Sequence, residues 1–432
     1  VIKTFFICCL SSMLLIAAGA VLFPSKWQPY FDQEVPQVEI SRQQDRIPIG
    51  INGGKFRLSL RDDNPGLDEV IVRVRQLRAD HVLFKKKLAG VKAVDLEIDI
   101  PSTKQDEDGR GVLGQGSGEL EVVAFDRSYY SNRGIASAKI YVDSKLPKLE
   151  GLTSQHNLRQ GGIQMVFYFA EDENLKLSGV RVGQKVYPGF KASLIDSSLA
   201  KPGLYVALYS VPILSKVKSA DLVLFAEDVG GNRVEKGFYN KIAARKFRTL
   251  NSSNTRLLAW LDSFPLDQVD SEPAAKIEPS EAKSEIDAVK ISQGFNKVEG
   301  TTLVTFGDIL TSPKGKFVTD GFVFSGLSQA KALQLGEVYS ISRYKNGMYS
   351  VVLRHALGIT TEYHGLSSVL VQEGQSVEAG AQLGVVTDYL LIRTVLADQA
   401  VDPTELWSQS WITDHILDKI SQAKRSLGII EE

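Results

Sequence analysis

The chain has 432 residues, with 50 Lys+Arg against 51 Asp+Glu, a formal net charge of −1 and a hydrophobic fraction of 43%. Such a length calls for more than one domain. The balanced charge provides no electrostatic footprint for nucleic acid, and the composition is that of folded rather than disordered protein.

The first element is an uncharged apolar run over residues 5–23, with Lys3 ahead of it. A bilayer-spanning helix needs about 17–25 such residues, and a preceding cation favours an N-in orientation. Residues 1–23 therefore read as a single-pass signal-anchor. The alternative is a cleaved signal peptide, because Ala18-Gly19-Ala20 forms a small-residue cleavage site. Both readings export the rest of the chain. Cys8 and Cys9 are its two cysteines and lie inside the apolar run. The exported part is thus expected to lack disulfides and any Cys-ligated zinc.

Residues 24–45 read as a linker, followed by two tandem β modules over 46–145 and 146–247. In the first, residues 70–74 and 120–125 have strand patterning, with turn-rich stretches at 62–66 and 114–118. In the second, 164–169 and 222–226 are strands. Each module contains a strand ending in Ala-x-Asp before a turn with Asn: Ala124 to Asp126 with Asn132, and Ala226 to Asp228 with Asn232. That arrangement is common in immunoglobulin-like and fibronectin-like sandwiches, so both modules are expected to be immunoglobulin-like β-sandwiches. The aspartates suit turn chemistry, accepting backbone N–H groups, better than calcium binding, for which a denser acidic loop is needed.

Residues 248–300 form a helical and charged linker, or an arm that packs on the next domain. Within it, Arg256 to Asp262 has helical spacing. From 301 to 408 short strands and Gly-bearing turns return. Gly358, Gly374, Gly380 and Gly384 fall between apolar strands, where a positive φ or a close backbone approach is expected. Residues 409–432 are expected to be a C-terminal helix.

Several spaced segments of this last domain occur in a specific order. Tyr349 to Gly358, with His355, resembles a "YGNxVxIxHGxG" strand and turn. Ile359 to Ser367 resembles "xTxYxHLS", and Val371 to Gly384 resembles "VxxGxxVxxGxxIG". Val401-Asp402-Pro403 resembles a "VxP" element, and Trp407 to Ile416 resembles an "EWWDxxWIxDxI" tail. Together they resemble the LytM/lysostaphin-type metallopeptidases: peptidoglycan endopeptidases with the duplicated hybrid motif, here in a multidomain bacterial envelope subgroup. The resemblance implies a compact, mostly antiparallel β domain. It also implies a zinc ion held by His, Asp and His, with a water at the open position.

The ligand positions do not carry those residues. Thr319-Asp320-Gly321-Phe322-Val323 matches "HxGxD", which puts Thr319 at the His and Val323 at the Asp position. Tyr389-Leu390-Leu391-Ile392 matches "HLHF", with Tyr389 and Leu391 at the histidines, and Gly365 stands at the histidine of "YxHLS". His364 is one residue out of register, which in a regular strand turns it to the opposite face. The resemblance therefore implies a degenerate member with no catalytic residues, a lost zinc site and no cofactor. Tyr363, His364, Tyr389, Asp320 and Phe322 are candidate groove residues for peptide packing. Families of catalytically dead LytM proteins activate peptidoglycan amidases or dock on other envelope proteins. The expected role is that of such an activator or docking subunit in the bacterial inner membrane, with its bulk in the periplasm. Its partner would be an amidase or a membrane-complex subunit, with peptidoglycan as a further ligand. The rival is a divergent zinc endopeptidase that uses His364 and Asp320 to cleave cross-links.

Overall fold

A computed structural model describes residues 31–41, 46–76, 79–101, 113–216, 218–250, 254–262, 288–312 and 315–429. The proposed anchor over 5–23, much of the 24–45 linker and most of the charged stretch after Asp262 lie outside these residues. Among the described residues, no helix is long and apolar enough to cross a membrane. The chain is mainly β and divides into two compact units: 1–146 with 228–232, and 147–227 with 233–432.

The first unit holds a three-stranded antiparallel sheet, in the order Gln37–Ile40, Gly54–Arg61, Ala93–Ile100. It also holds a five-stranded sheet, in the order Arg46–Ile49, Arg133–Val142, Gly116–Asp126, Leu67–Gln76, Ala79–Val91. Alternation along the strands supplies the core. Phe56, Leu58 and Leu60 from the first sheet share one apolar cluster with Val70, Val72, Val74, Leu120 and Val122 from the second. The turn aspartate does what turn chemistry requires. Asp126 Oδ1 accepts from the backbone N–H groups of Ser128 (3.1 Å) and Asn132 (2.8 Å). Asp228 makes the equivalent contacts with Asn232, from its N–H at 2.9 Å and its Nδ2 at 2.7 Å.

In the second unit, two four-stranded sheets come first. One is ordered Phe190–Lys191, Leu204–Ser210, Ile163–Glu171, Lys148–Gly151; the other is ordered Lys185–Pro188, Leu175–Val182, Leu222–Asp228, Arg233–Gly237. The long sheet of the C-terminal domain follows. Its path is Thr301–Val304, Phe322–Ser325, Gln382–Leu396, Ile359–Val369, Tyr349–Arg354, Gly336–Arg343, Ser376–Val377. Residues 147–227 and the C-terminal domain share one core, in which Phe167, Val206 and Leu208 belong with Phe322, Phe324, Tyr363, Ile412 and Ile416. Polar contacts stitch the same seam. Glu405 Oε2 accepts from Ile163 N at 2.6 Å, Arg245 pairs with Asp402 at 2.7 Å, and Lys419 Nζ donates to Ser154 O at 2.6 Å.

Three segments of the 248–300 stretch are built into this unit, one of them the 3-10 helix Ala288–Gln293, which puts Ala288 and Ile291 into the shared core. Arg248–Leu250 adds a parallel strand to Asp308–Ser312. Its Arg248 guanidinium grips Asp308 at 2.7 Å. The helix Thr255–Asp262 buries Leu257 and Trp260 on its apolar face. The C-terminal segment is interrupted rather than continuous: Gln409–Ile412 is α-helical, Thr413–Leu417 is a π turn, and Asp418–Ser426 resumes the α-helix.

Candidate functional site

Three neighbouring strands build the face on which the positions matched to the metal-ligand motifs lie. Val323 pairs with Leu391, and Leu391 pairs with His364. Directly paired residues point to the same side of a sheet, so Val323, Leu391 and His364 form one row. A second row joins Arg393 to Glu362. The expected turning of His364 to the opposite face therefore does not occur. The register shifts between His364 and Leu366, and Gly365 sits there with φ +100°. This bulge absorbs the one-residue offset.

None of the aligned positions offers a zinc ligand. Val323 and Leu391 are 1% and 8% exposed and lie in an apolar cluster with Leu257, Trp260, Val304, Leu310 and Tyr344. Thr319 is buried, and its Oγ1 donates to Thr305 O at 2.6 Å. Gly365 is closed off from above. A Cβ built there would lie 2.6 Å from Trp260 Cζ2 and 2.6 Å from Tyr389 O. The indole thus fills the space into which a side chain at 365 would project. Trp260 also meets the Tyr389 ring edge-on, with centroids 5.3 Å apart and planes at 68°.

The polar residues of the same face are committed to one another. His364 Nδ1 lies 2.7 Å from Tyr344 Oη and its Nε2 lies 3.1 Å from Glu362 Oε2. With Nε2–H donating to the carboxylate, Nδ1 accepts from the tyrosine hydroxyl. Arg393 donates to Glu362 at 2.8 Å and reaches Asp320 at 2.7 Å. Gly321 gives the arginine room, since a Cβ there would lie 2.8 Å from Arg393 Cγ. Burial works against the Glu362 carboxylate, but the hydrogen bond from His364 and the charge of Arg393 outweigh it. They bring it down to about 2. Burial likewise opposes the charge on Arg393, yet Glu362 and Asp320 raise it above its ordinary value. A guanidinium therefore links the two carboxylates of this face. His364 and Asp320, the donors available for a rebuilt metal site, have partners other than a metal. Among the described residues of this domain, no three His, Cys, Asp or Glu side chains converge their ligand atoms. These residues do not fit zinc.

Alternation separates the remaining candidates. Tyr363 and Phe322 are neighbours in sequence of His364 and Val323 and so point to the other face of the sheet. Tyr363 is fully buried, and its hydroxyl accepts from Leu333 N at 2.9 Å. Phe322 stacks near Phe324 and meets Trp407 edge-on at 5.0 Å. Both are core residues, not groove residues. His355 is buried as well, with its ring nitrogens 2.8 Å from Leu335 O and 2.9 Å from Thr361 Oγ1; burial pushes it down to about 4. Of the candidates, the structure brings Thr319, Asp320, Val323, His364, Gly365, Tyr389 and Leu391 to one region. It adds Glu362, Arg393, Tyr344 and Trp260, which sequence reasoning did not single out. Glu362 and Arg393 share strand parity with His364 and Leu391, a signal that was available. Trp260 is more than a hundred positions from Gly365 in the chain, and no local pattern links them.

Residues 320–390 match the model of peptidase family M23, so the chain carries an M23 (LytM-type) domain there. No curated protein matches the sequence. Among solved structures, a protein assigned to peptidase M23 from Pseudomonas aeruginosa aligns at 16% identity and a TM-score of 0.32. The match covers 57% of this chain and 93% of that one. Lysostaphin aligns at 18% identity and a TM-score of 0.22, over 26% of this chain and 51% of its own. A chain from the SpoIIIAH and SpoIIQ complex aligns at 17% and 0.20, over 26% of this chain and 87% of its own.

Proposed function

We propose that this chain is a non-catalytic M23-domain protein of the bacterial cell envelope, acting as an activator of a peptidoglycan hydrolase or as a docking subunit of an envelope complex. One observation carries the reading: the row Val323–Leu391–His364 places two hydrocarbon side chains at ligand positions and a histidine whose two nitrogens face Tyr344 and Glu362. Water activation by zinc needs a metal bound with an open position and lowers the water's pKa toward neutrality. Nothing on this face supplies an equivalent base. Glu362 is a candidate by chemistry alone, but its paired state and its pKa near 2 make it a poor proton acceptor at neutral pH.

In this reading the scaffold is retained for its shape. Leu257 and Trp260 of the chain's own helix cover the apolar part of the former site. A partner then engages other surfaces of the domain, or displaces that helix. The apolar run at 5–23 acts as the membrane anchor and holds the exported part at the membrane. The test is biochemical. Incubated alone with purified sacculi, the full-length protein should release no peptide. Crosslinking in native membranes should recover a peptidoglycan amidase or a membrane-complex subunit. Chelator-sensitive release of stem peptides by the protein alone would overturn the proposal in favour of a divergent endopeptidase.

A further inference from the structure

The first unit exposes an aromatic cluster that no core uses. Phe31 is 54% exposed, Tyr129 79% and Tyr130 53%. Their rings touch one another: Phe31 and Tyr129 centroids are 6.0 Å apart, and Tyr129 and Tyr130 meet edge-on at 5.7 Å. The cluster is built, not incidental. Asp126 holds the Ser128–Asn132 turn through its carboxylate, and Asn132 Nδ2 donates to Asp32 O at 2.8 Å. Gly134 admits the chain beside it, since a Cβ there would lie 1.9 Å from Pro36 O. One turn and one N-terminal segment are thus tied together, and three rings stand out from them.

Three adjoining rings facing water are costly to leave uncovered, because each offers about 150–250 Å² of burial. Their position says what covers them. Phe31 follows the apolar run at 5–23 by eight residues, and eight residues span at most roughly 28 Å fully extended. Tyrosine, with an apolar ring and a polar tip, partitions to the headgroup level of bilayers. The surrounding side chains carry both signs, with Arg127 and Arg133 against Asp32 and Glu34, all exposed or partly so. Contact would therefore rest on the rings rather than on anionic lipid. We infer that Phe31, Tyr129 and Tyr130 form a membrane-interface contact that seats the first unit on the bilayer surface beside the anchor. This inference rests on the anchor reading of residues 5–23.

The experiment uses the full chain in liposomes of phosphatidylethanolamine and phosphatidylglycerol. Cys8→Ala and Cys9→Ala leave a single introduced thiol, Tyr129→Cys, to carry an environment-sensitive NBD probe. A nitroxide placed near the headgroups should quench most of its emission, and the emission should be blue-shifted. The same probe at Tyr239→Cys, an exposed tyrosine outside the cluster, should remain in water. Phe31→Ser with Tyr130→Ser should restore the emission at position 129. Carbonate extraction is read in parallel. A protein that resists extraction but leaves position 129 unquenched overturns the contact and keeps the anchor. Quenching that survives the double serine variant reflects tethering alone and also overturns it. A probe that is blue-shifted but unquenched in native membranes identifies a protein as the covering partner, which again overturns it. Extraction of the protein by carbonate removes the anchor reading and this inference together.

Discussion

Gly365 is a point at which this face is tightly closed. It sits at φ +100° and faces Trp260 at a distance that no Cβ tolerates. Gly365→Ala is therefore expected to destabilise the protein by more than the about 1–3 kcal/mol of backbone strain alone. A lowered denaturation midpoint, with altered indole emission, would check this. The ion network makes a second prediction. Removing one partner of a buried pair leaves an uncompensated charge, at about 3–5 kcal/mol. Arg393→Ala should thus cost far more than the same change at an exposed pair such as Arg256–Asp388. Glu362 adds a pH signature. Its pKa falls from 4.5 in the unfolded chain to about 2 in the fold. The stability it contributes is complete above about 4.5 and is lost as pH falls toward 2. Acid titrations of unfolding free energy should show that decline in the native chain and a weaker one in Glu362→Gln.

At the scale of elements, the helix Thr255–Asp262 covers the apolar row of this face. Trp260 is 7% exposed and joins Leu257 over Val323, Leu391 and Tyr389. Truncating a buried tryptophan costs about 3–5 kcal/mol. Trp260→Ala should therefore release this helix to hydrogen exchange while the Ile359–Val369 and Gln382–Leu396 strands stay protected. Joint loss of protection in the helix and both strands would show that the helix is part of the sheet's own folding unit. The short helix Pro403–Leu406 has a different device. Burial raises the Glu405 carboxyl from 4.5 to about 7, despite the hydrogen bond from Ile163 N. Its raised pKa gives stability that is present below about 4.5 and lost as pH rises through about 7. Unfolding measured from pH 5 to 8 should thus show a decline in the native chain and a flatter profile in Glu405→Gln.

Across the whole molecule, what could be read from the residues was what depends on local pattern. The strands at 70–74, 120–125, 164–169 and 222–226 alternate or run apolar, and the structure has strands at all of them. The spaced glycines of the M23 domain mark its turns, with Gly374 at φ +79° and Gly380 at φ +87°. What was not legible depends on contacts between distant segments. The face taken by His364 turns on a single bulge, the Arg393 link turns on which side chains share a row, and Trp260 comes from a stretch whose sequence resembles a linker. The shared core of residues 147–227 and the M23 domain likewise has no local signal. On the reading proposed above, the M23 scaffold persists while hydrocarbon and a closed ion network fill the place of its metal site. The measurement that bears most directly on that claim is metal content together with sacculus hydrolysis on the purified full-length chain. No stoichiometric zinc is expected after equilibration with the metal, and no hydrolysis. One tightly bound zinc per chain, lost together with hydrolysis in His364→Ala, would contradict it.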